Sequence, residues 1–201
     1  YSKINDEKQL EILETIMRNA KRLKRLTDNL LDITKIESQS LMLNKEKFNL
    51  NILMSEFLKD YVDKQKKQQK VKIVYDFNHK EDIIIEADRD RLVQVIHNLL
   101  DNALKFTTYN QQMIFVIIGK RKEGKEDEEV IVSVKDTGEG ISDKILSKLF
   151  TKFATSDSTT GTGLGLYICK NIIEAHGGRI WAENNSGEKG AIFSFILPIA
   201  E

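Results

Sequence analysis

Glycine and proline are missing from most of this chain. The first glycine is Gly119, all 11 glycines fall between Gly119 and Gly190, and Pro198 is the only proline. Without either breaker the first half favours uninterrupted helices, while turns and close backbone approaches concentrate in the second half. Cysteine is nearly absent. Cys169 stands alone, which excludes an internal disulfide and fits a reducing, cytoplasmic setting. Net charge is missing too: 31 Lys and Arg balance 31 Asp and Glu, so no overall field draws the chain to nucleic acid or an anionic membrane. No apolar run approaches the roughly 20 residues that a membrane helix needs. The opening Tyr1-Ser2-Lys3-Ile4-Asn5-Asp6 has neither an initiator methionine nor a signal-peptide pattern, so the sequence reads as a portion of a longer protein.

What remains is the composition of an ordinary globular protein, 40% hydrophobic and 31% charged over 201 residues. That length is generous for one minimal domain, short for two, and enough to bury a core. From Leu10 to about Ser40 the apolar spacing is helical. Ile16, Leu23 and Leu30 recur every seven residues, and Leu26 and Ile33 follow Leu23 and Leu30 by three. This is an a/d seam, which needs a partner helix from this chain, from a preceding segment or from a second subunit. Lys21, Arg22, Lys24 and Arg25 read as its solvated face. Residues 37–47 read as a connector. A second amphipathic helix carries Leu50, Leu53, Phe57, Leu58 and Tyr61, then runs into a basic stretch at 64–70. No aromatics interleave with those lysines, so a solvated helix end is expected there rather than a nucleic-acid site.

From Val71 onward strands dominate. Residues 71–77 and 83–87 alternate as strands do, and Asp88 or Asp90 can cap a helix reaching about Phe106. Residues 113–118 and 130–134 read as strands joined by a charged loop. A helix over 162–176 ends at Gly177-Gly178, and 179–183 with 191–197 reads as a terminal hairpin. The expected architecture is α+β, an antiparallel-leaning sheet with helices on one face.

The helix before Phe106 carries Asn98, Asn102 and Lys105, at spacings of four and three, on one face. Leu92, Val93, Ile96, Leu99, Leu100 and Ala103 form the stripe expected to face the core. An Asn carbonyl is a hard ligand suited to Mg²⁺, and a lysine one turn away can neutralise phosphates. A plain solvent face would carry similar residues. Asp136-Thr137-Gly138-Glu139-Gly140 follows a strand, and Gly161-Thr162-Gly163-Leu164-Gly165-Leu166 opens a helix. A carboxylate beside glycines can read a donor on a flat ligand, and a glycine run at a helix start can hold phosphates. Taken singly, the first could be an Asx turn and the second a flexible loop. The glycine run is neither a dinucleotide fingerprint nor a Walker A loop.

Together, residues 98–107, 136–140, 149–153 and 161–166 resemble the N, G1, F and G2 boxes of sensor histidine kinases, in family order. Ala175-His176-Gly177-Gly178-Arg179-Ile180 is similar to the segment after G2. Arg22-Leu23, Leu30-Leu31-Asp32-Ile33 and Ile36-Glu37 are similar to the second helix of the dimerisation and phosphotransfer domain. The resemblance implies a partial dimerisation domain at 1–45 and a catalytic ATP-binding domain at 46–201, a two-layer α/β sandwich of the GHKL (Bergerat) type. It implies that Asn102 binds Mg²⁺, that Asn98 assists at the metal or phosphates, and that Lys105 contacts phosphate. Phe106 would pack on adenine, and Asp136 would accept from the adenine amino group beside Gly138, Gly140 and Ile141. Gly161, Thr162, Gly163, Leu164, Gly165 and Leu166 would hold phosphates under a lid from Phe150 to Thr160 that includes Phe153. The implied partners are ATP, a response-regulator receiver domain and a second copy in the full-length protein, with no nucleic acid and no membrane contact by these residues.

Two departures stand out. His79, His97 and His176 are the only histidines, and none lies in a His-Glu or His-Asp helix ahead of the seam, so the phospho-acceptor is expected upstream of Tyr1. Thr155 stands where many relatives carry Arg, leaving Lys152 as the nearest cation for a γ-phosphate contact. Gyrase-, Hsp90- and MutL-like ATPases resemble the same Asn and Asp-x-Gly-x-Gly elements. They place a glutamate four residues before the metal-binding Asn as a water-activating base. Asn98 occupies that place here and cannot act as a base, which favours transfer over hydrolysis. The alternatives are a GHKL-fold ATPase and a nucleotide-gated signalling module without kinase activity.

Overall fold

The computed structural model describes residues 2–65, 71–76, 82–107, 113–123, 127–155 and 162–200. They divide into two compact units, one up to Leu41 and one from Met42. The first is a single helix, α1 (Ser2–Glu37). Its end is set by Gln39, whose φ of 52° is left-handed, and by the Ser40 N–H donating back to the Lys35 carbonyl at 2.8 Å. That closes the last turn in the manner usually given to glycine. Ile16, Leu23 and Leu30 of the seam are more than half exposed on α1.

The second unit begins with β1 (Glu46–Asn49), inside the stretch expected to be connector and helix start. It pairs antiparallel with β3 (Ile84–Ala87). Between them come α2 (Leu50–Gln65) and β2 (Lys72–Asp76). Then follow α3 (Arg89–Phe106), β4 (Met113–Glu123), β5 (Asp127–Asp136), the one-turn α4 (Asp143–Leu146), α5 (Gly165–Ala175), β6 (Arg179–Asn184) and β7 (Ala191–Pro198). The main sheet runs β2-β4-β5-β7-β6. Its one parallel pair, β2 with β4, is made possible by the crossover through α3, and the other three pairs are antiparallel. The β4 and β5 strands reach further into the charged segment than their apolar cores suggest. Arg121 stands opposite Glu129, and opposite charges across a ladder are stabilising.

The core lies between this sheet and the helices. Inward alternation buries Ile114 and Val116 of β4, Val130, Val132 and Val134 of β5, and Phe193 and Phe195 of β7. On α3 the buried stripe is Leu92, Val95, Ile96, Leu99, Leu100, Ala103 and Leu104. Val93, expected in that stripe, is half-exposed, and Val95 takes its place. The helix is covered from both α2 and α5, so the apolar face is wider and rotated from the one drawn by spacing alone. Full burial of each such aliphatic side chain contributes roughly 1.5–3 kcal/mol. Asp88 is the N-cap of α3, its carboxylate accepting from the Arg91 N–H at 3.1 Å. The helix expected from Thr162 starts three residues later, at Gly165.

Candidate functional site

The two-residue period that buries three valines of β5 carries Asp136 onto the same inward face at the strand's end. The residue is 3% exposed. Oδ1 accepts from the Gly138 N–H at 2.8 Å and the Ala191 N–H at 3.2 Å. Oδ2 has no hydrogen-bond partner among the described residues. Burial raises the Asp136 pKa above the usual carboxylate range, and the two N–H groups pull against that rise. A buried carboxylate with one oxygen satisfied presents the other as an acceptor for a ligand donor. Gly138 presses on the last turn of α3, where a Cβ would stand 2.3 Å from the Phe106 carbonyl oxygen. The glycine therefore seats the Asp136 loop beside Phe106, a residue 40% exposed with the Lys105 ammonium 4.7 Å above its ring.

The β6–β7 turn holds this loop from the other side. The Asn184 amide pairs with both backbone groups of Ile141, accepting its N–H at 2.7 Å and donating to its carbonyl at 2.8 Å. Asn185 Nδ2 donates to the Asp136 carbonyl at 2.8 Å and to the Lys189 carbonyl at 2.9 Å. As sequence, Asn-Asn before Ser-Gly reads only as turn composition, which is why neither residue stood out.

At the other end, α5 begins on the glycine segment. Leu164, its N-cap residue, makes no side-chain cap, and its own N–H donates to Thr162 Oγ1 at 3.3 Å; a helix start of this kind suits an anion. A Cβ on Gly165 would lie 3.6 Å from Asn98 Oδ1, an ordinary contact distance that places the Asn98 amide beside the start of α5. Asn98 Nδ2 points to Cys169 Sγ at 3.6 Å. That thiol is fully buried and its pKa is pushed up to about 12, so it stays neutral. Gly163, at φ 65°, packs on Phe153, itself left-handed at φ 62° and 68% exposed. A Cβ on Gly163 would stand 2.5 Å from the Phe153 carbonyl carbon. Lys152 lies 5.3 Å over the Tyr167 ring of α5. Gly161 and residues 156–160 of the expected lid lie outside the described residues, as does His79.

Helix α3 joins the two ends. From Asn98 to Phe106 is eight residues, about 12 Å of axial rise. Asn102 and Lys105 follow Asn98 on the same face between them. The arrangement fits an elongated ligand with a flat, donor-bearing end at Asp136 and an anionic end at α5. No cluster of three or more His, Cys, Asp or Glu that could hold a metal occurs among the described residues. The amide oxygens of α3 are hard ligands, too few to cage a cation, and fit a Mg²⁺ that arrives with phosphate oxygens and water.

Two histidines hold positions away from this face. His97 packs against Phe57 and Tyr61 and lies 3.4 Å from Asp101. His176, at the C-cap of α5, is buried and joins α5 to the start of α3. Its Nε2 accepts the Asp88 N–H at 2.9 Å, so the ring proton sits on Nδ1 and faces the Ile172 carbonyl at 2.7 Å. Burial lowers its pKa, partly opposed by the Ile172 bond, while the charge of Lys45 lowers it and that of Asp88 raises it. The unfolded chain therefore takes up this proton as pH falls through about 6.5 while the folded site resists it, and stability is lost across that window down to the lowered folded value. We expect the urea midpoint of the wild type to drop between about pH 7 and 5.5 by more than that of His176→Ala, which lacks the titrating group. Parallel pH curves would show that the ring is not held neutral.

The sheet, the carboxylate-glycine loop and the helix-opening glycine run define a nucleotide-binding ATPase fold. Residues 87–201 match the family described as histidine kinase-, DNA gyrase B-, and HSP90-like ATPase, and the chain belongs to that family. It is similar to the sensor protein KdpD of Clostridium acetobutylicum, 36% identical over 97% of this chain and 21% of that protein. It is also similar to the sensor histidine kinase WalK of Bacillus subtilis, 34% identical over 90% of this chain and 29% of that protein. The chain thus spans less than a third of the length of these relatives. Among solved structures, the nucleotide-free catalytic domain of the histidine kinase ThkA aligns with a TM-score of 0.64 at 35% identity, over 79% of this chain and 99% of that one. The α+β architecture is that of a histidine kinase catalytic domain. No helix among the described residues is long and apolar enough to cross a membrane.

Proposed function

We propose that this chain is the ATP-binding catalytic part of a sensor histidine kinase. It transfers the γ-phosphoryl group of Mg-ATP to a histidine outside these 201 residues, for relay to an aspartate on a response-regulator receiver domain. The observation that carries this is the pairing of two ligand-facing ends on α3: Gly138 seated on Phe106 beside Asp136, and Gly165 seated on Asn98. Asp136 takes the adenine amino group, with Gly140 and Ile141 completing that wall and Phe106 packing on the base. The first turn of α5, with Thr162 to Leu166, takes the phosphates, and Lys105 neutralises them. Bound Mg²⁺ supplies charge neutralisation on the phosphate oxygens, with Asn102 as its protein ligand and Asn98 beside it. Lys152 is the cation of the lid. Asn98 cannot accept a proton from water, which supports transfer to a protein side chain over hydrolysis. The exposed seam of α1 suits a helix of a second copy, as in a partial dimerisation and phosphotransfer domain.

Mixing the chain with Mg-ATP and a separate polypeptide carrying the acceptor histidine helix should yield acid-labile phosphate on that histidine. ATP binding without any transfer would sink the kinase reading and leave a nucleotide-gated module. For the metal, wild-type affinity for ATP should weaken on chelation of Mg²⁺, whereas Asn102→Ala should bind ATP weakly and indifferently to the chelator. A chelator response retained in Asn102→Ala would place the metal elsewhere.

A further inference from the structure

We propose that Asn184, the last residue of β6, and Asn185, which follows it, are positioning residues for base selection, clamping residues 136–141 so that Asp136 meets the base at one fixed place. The proposal rests on Asp136 being the base acceptor. Among the described residues no strand pairs with Ile141 after β5, because β7 lies beside β5 only as far as Lys135 opposite Ile192. The Asn184 amide substitutes for that neighbour. It makes the paired donor and acceptor contacts that a strand residue would make, and only one orientation of the amide satisfies both Ile141 groups. Asn185 anchors the other end of the same loop at the Asp136 carbonyl, while its own N–H donates to the Gly190 carbonyl at 3.0 Å, so the anchor is part of the turn itself. Ala191, the first residue of β7, completes the grip by donating to Asp136 Oδ1. The carboxylate is therefore held by its own loop through Gly138 and by the hairpin through Asn185 and Ala191. None of these bonds reaches Asn98, Gly165 or the phosphate end of α5. Loss of the Asn184 and Asn185 amides should loosen base recognition and leave phosphate recognition intact.

The test compares ATP, GTP and inorganic tripolyphosphate, each with Mg²⁺, by calorimetry on the 201-residue chain. For Asn184→Ala and Asn185→Ala we expect ATP affinity to fall about tenfold with tripolyphosphate affinity unchanged, so that the preference for ATP over GTP shrinks by a similar factor. Asn184→Asp keeps the acceptor for the Ile141 N–H and loses the donor, and should fall between wild type and Asn184→Ala. A preference for ATP unchanged within about twofold in both alanine variants would overturn the clamp alone. An equal loss for tripolyphosphate would overturn it too, since that marks general destabilisation. A wild-type chain with no preference for ATP over GTP would overturn the reading of Asp136 and the clamp together.

Discussion

Gly138→Ala should weaken ATP binding by at least about 100-fold while leaving the rest of the sheet folded. A Cβ at this position would stand 2.3 Å from the Phe106 carbonyl oxygen and 3.0 Å from the Phe106 carbonyl carbon and Asp136 Oδ1. The first two are backbone atoms of α3, which is anchored by Leu99, Leu100 and Ala103 in the core, so they cannot retreat as the end of a flexible side chain could. The 136–140 loop must move instead, and with it the Gly138 N–H that orients the carboxylate. Overpacking of this kind costs roughly 1–3 kcal/mol. Because the displaced atoms are the base contacts in the proposed function, we expect affinity for ATP to fall by at least about 100-fold, or roughly 2.7 kcal/mol. Calorimetry with ATP and a thermal melt on the same sample separate the two effects. Affinity within a few-fold of wild type would mean that the loop is not the base contact.

Asp136→Asn should be nearly silent in a melt and severe in binding. Oδ1 is already committed to two N–H donors. An amide must keep its oxygen there, which turns its NH₂ outward to where Oδ2 stood. The loop is preserved and only the outer atom, the proposed base contact, is inverted from acceptor to donor. Loss of a hydrogen bond to a charged acceptor is worth about 1.5–3 kcal/mol, so ATP affinity should fall at least tenfold. The same inversion favours a base with a carbonyl at that position, and inosine triphosphate should gain on ATP. Because burial raises the Asp136 pKa, the charged form is the one folding disfavours, so a neutral amide should leave the melting temperature equal or higher. The sign for binding is opposite. The carboxylate must be ionised to accept fully, so wild-type affinity should begin to fall on acidification above the usual carboxylate range, and Asp136→Asn should lack that component. Equal ATP affinity in the two proteins would remove Asp136 from the base site.

Much of this was legible along the chain because it depends on local periods. The helical spacing of Asn98, Asn102 and Lys105 survives in α3, and the alternation of Val130, Val132 and Val134 leads to a buried Asp136. The scarcity of glycine before Gly119 is matched by α1, α2 and α3, and the late glycines mark the loops where backbones approach. Val93 and the start of α5 differ from the expectation for one reason. A period says that a face exists, but neighbouring elements decide how wide it is and where the helix can begin. Strand β1 is only four residues long, and its pairing with β3 comes from the fold.

Residue types and short spacings thus suffice for the α+β class, the helix with its polar face, and an acidic acceptor near glycines. The fold alone settles which oxygen of Asp136 its own backbone holds, that Asn184 and Asn185 hold its loop, that Cys169 backs Asn98, and that His176 bridges α5 and α3. Those contacts join residues 43, 49, 71 and 88 positions apart. Hydrogen bonds need their partners within about 3 Å. No local period can report that proximity, because it arises only once β7 has paired with β5 and α5 has packed on α3.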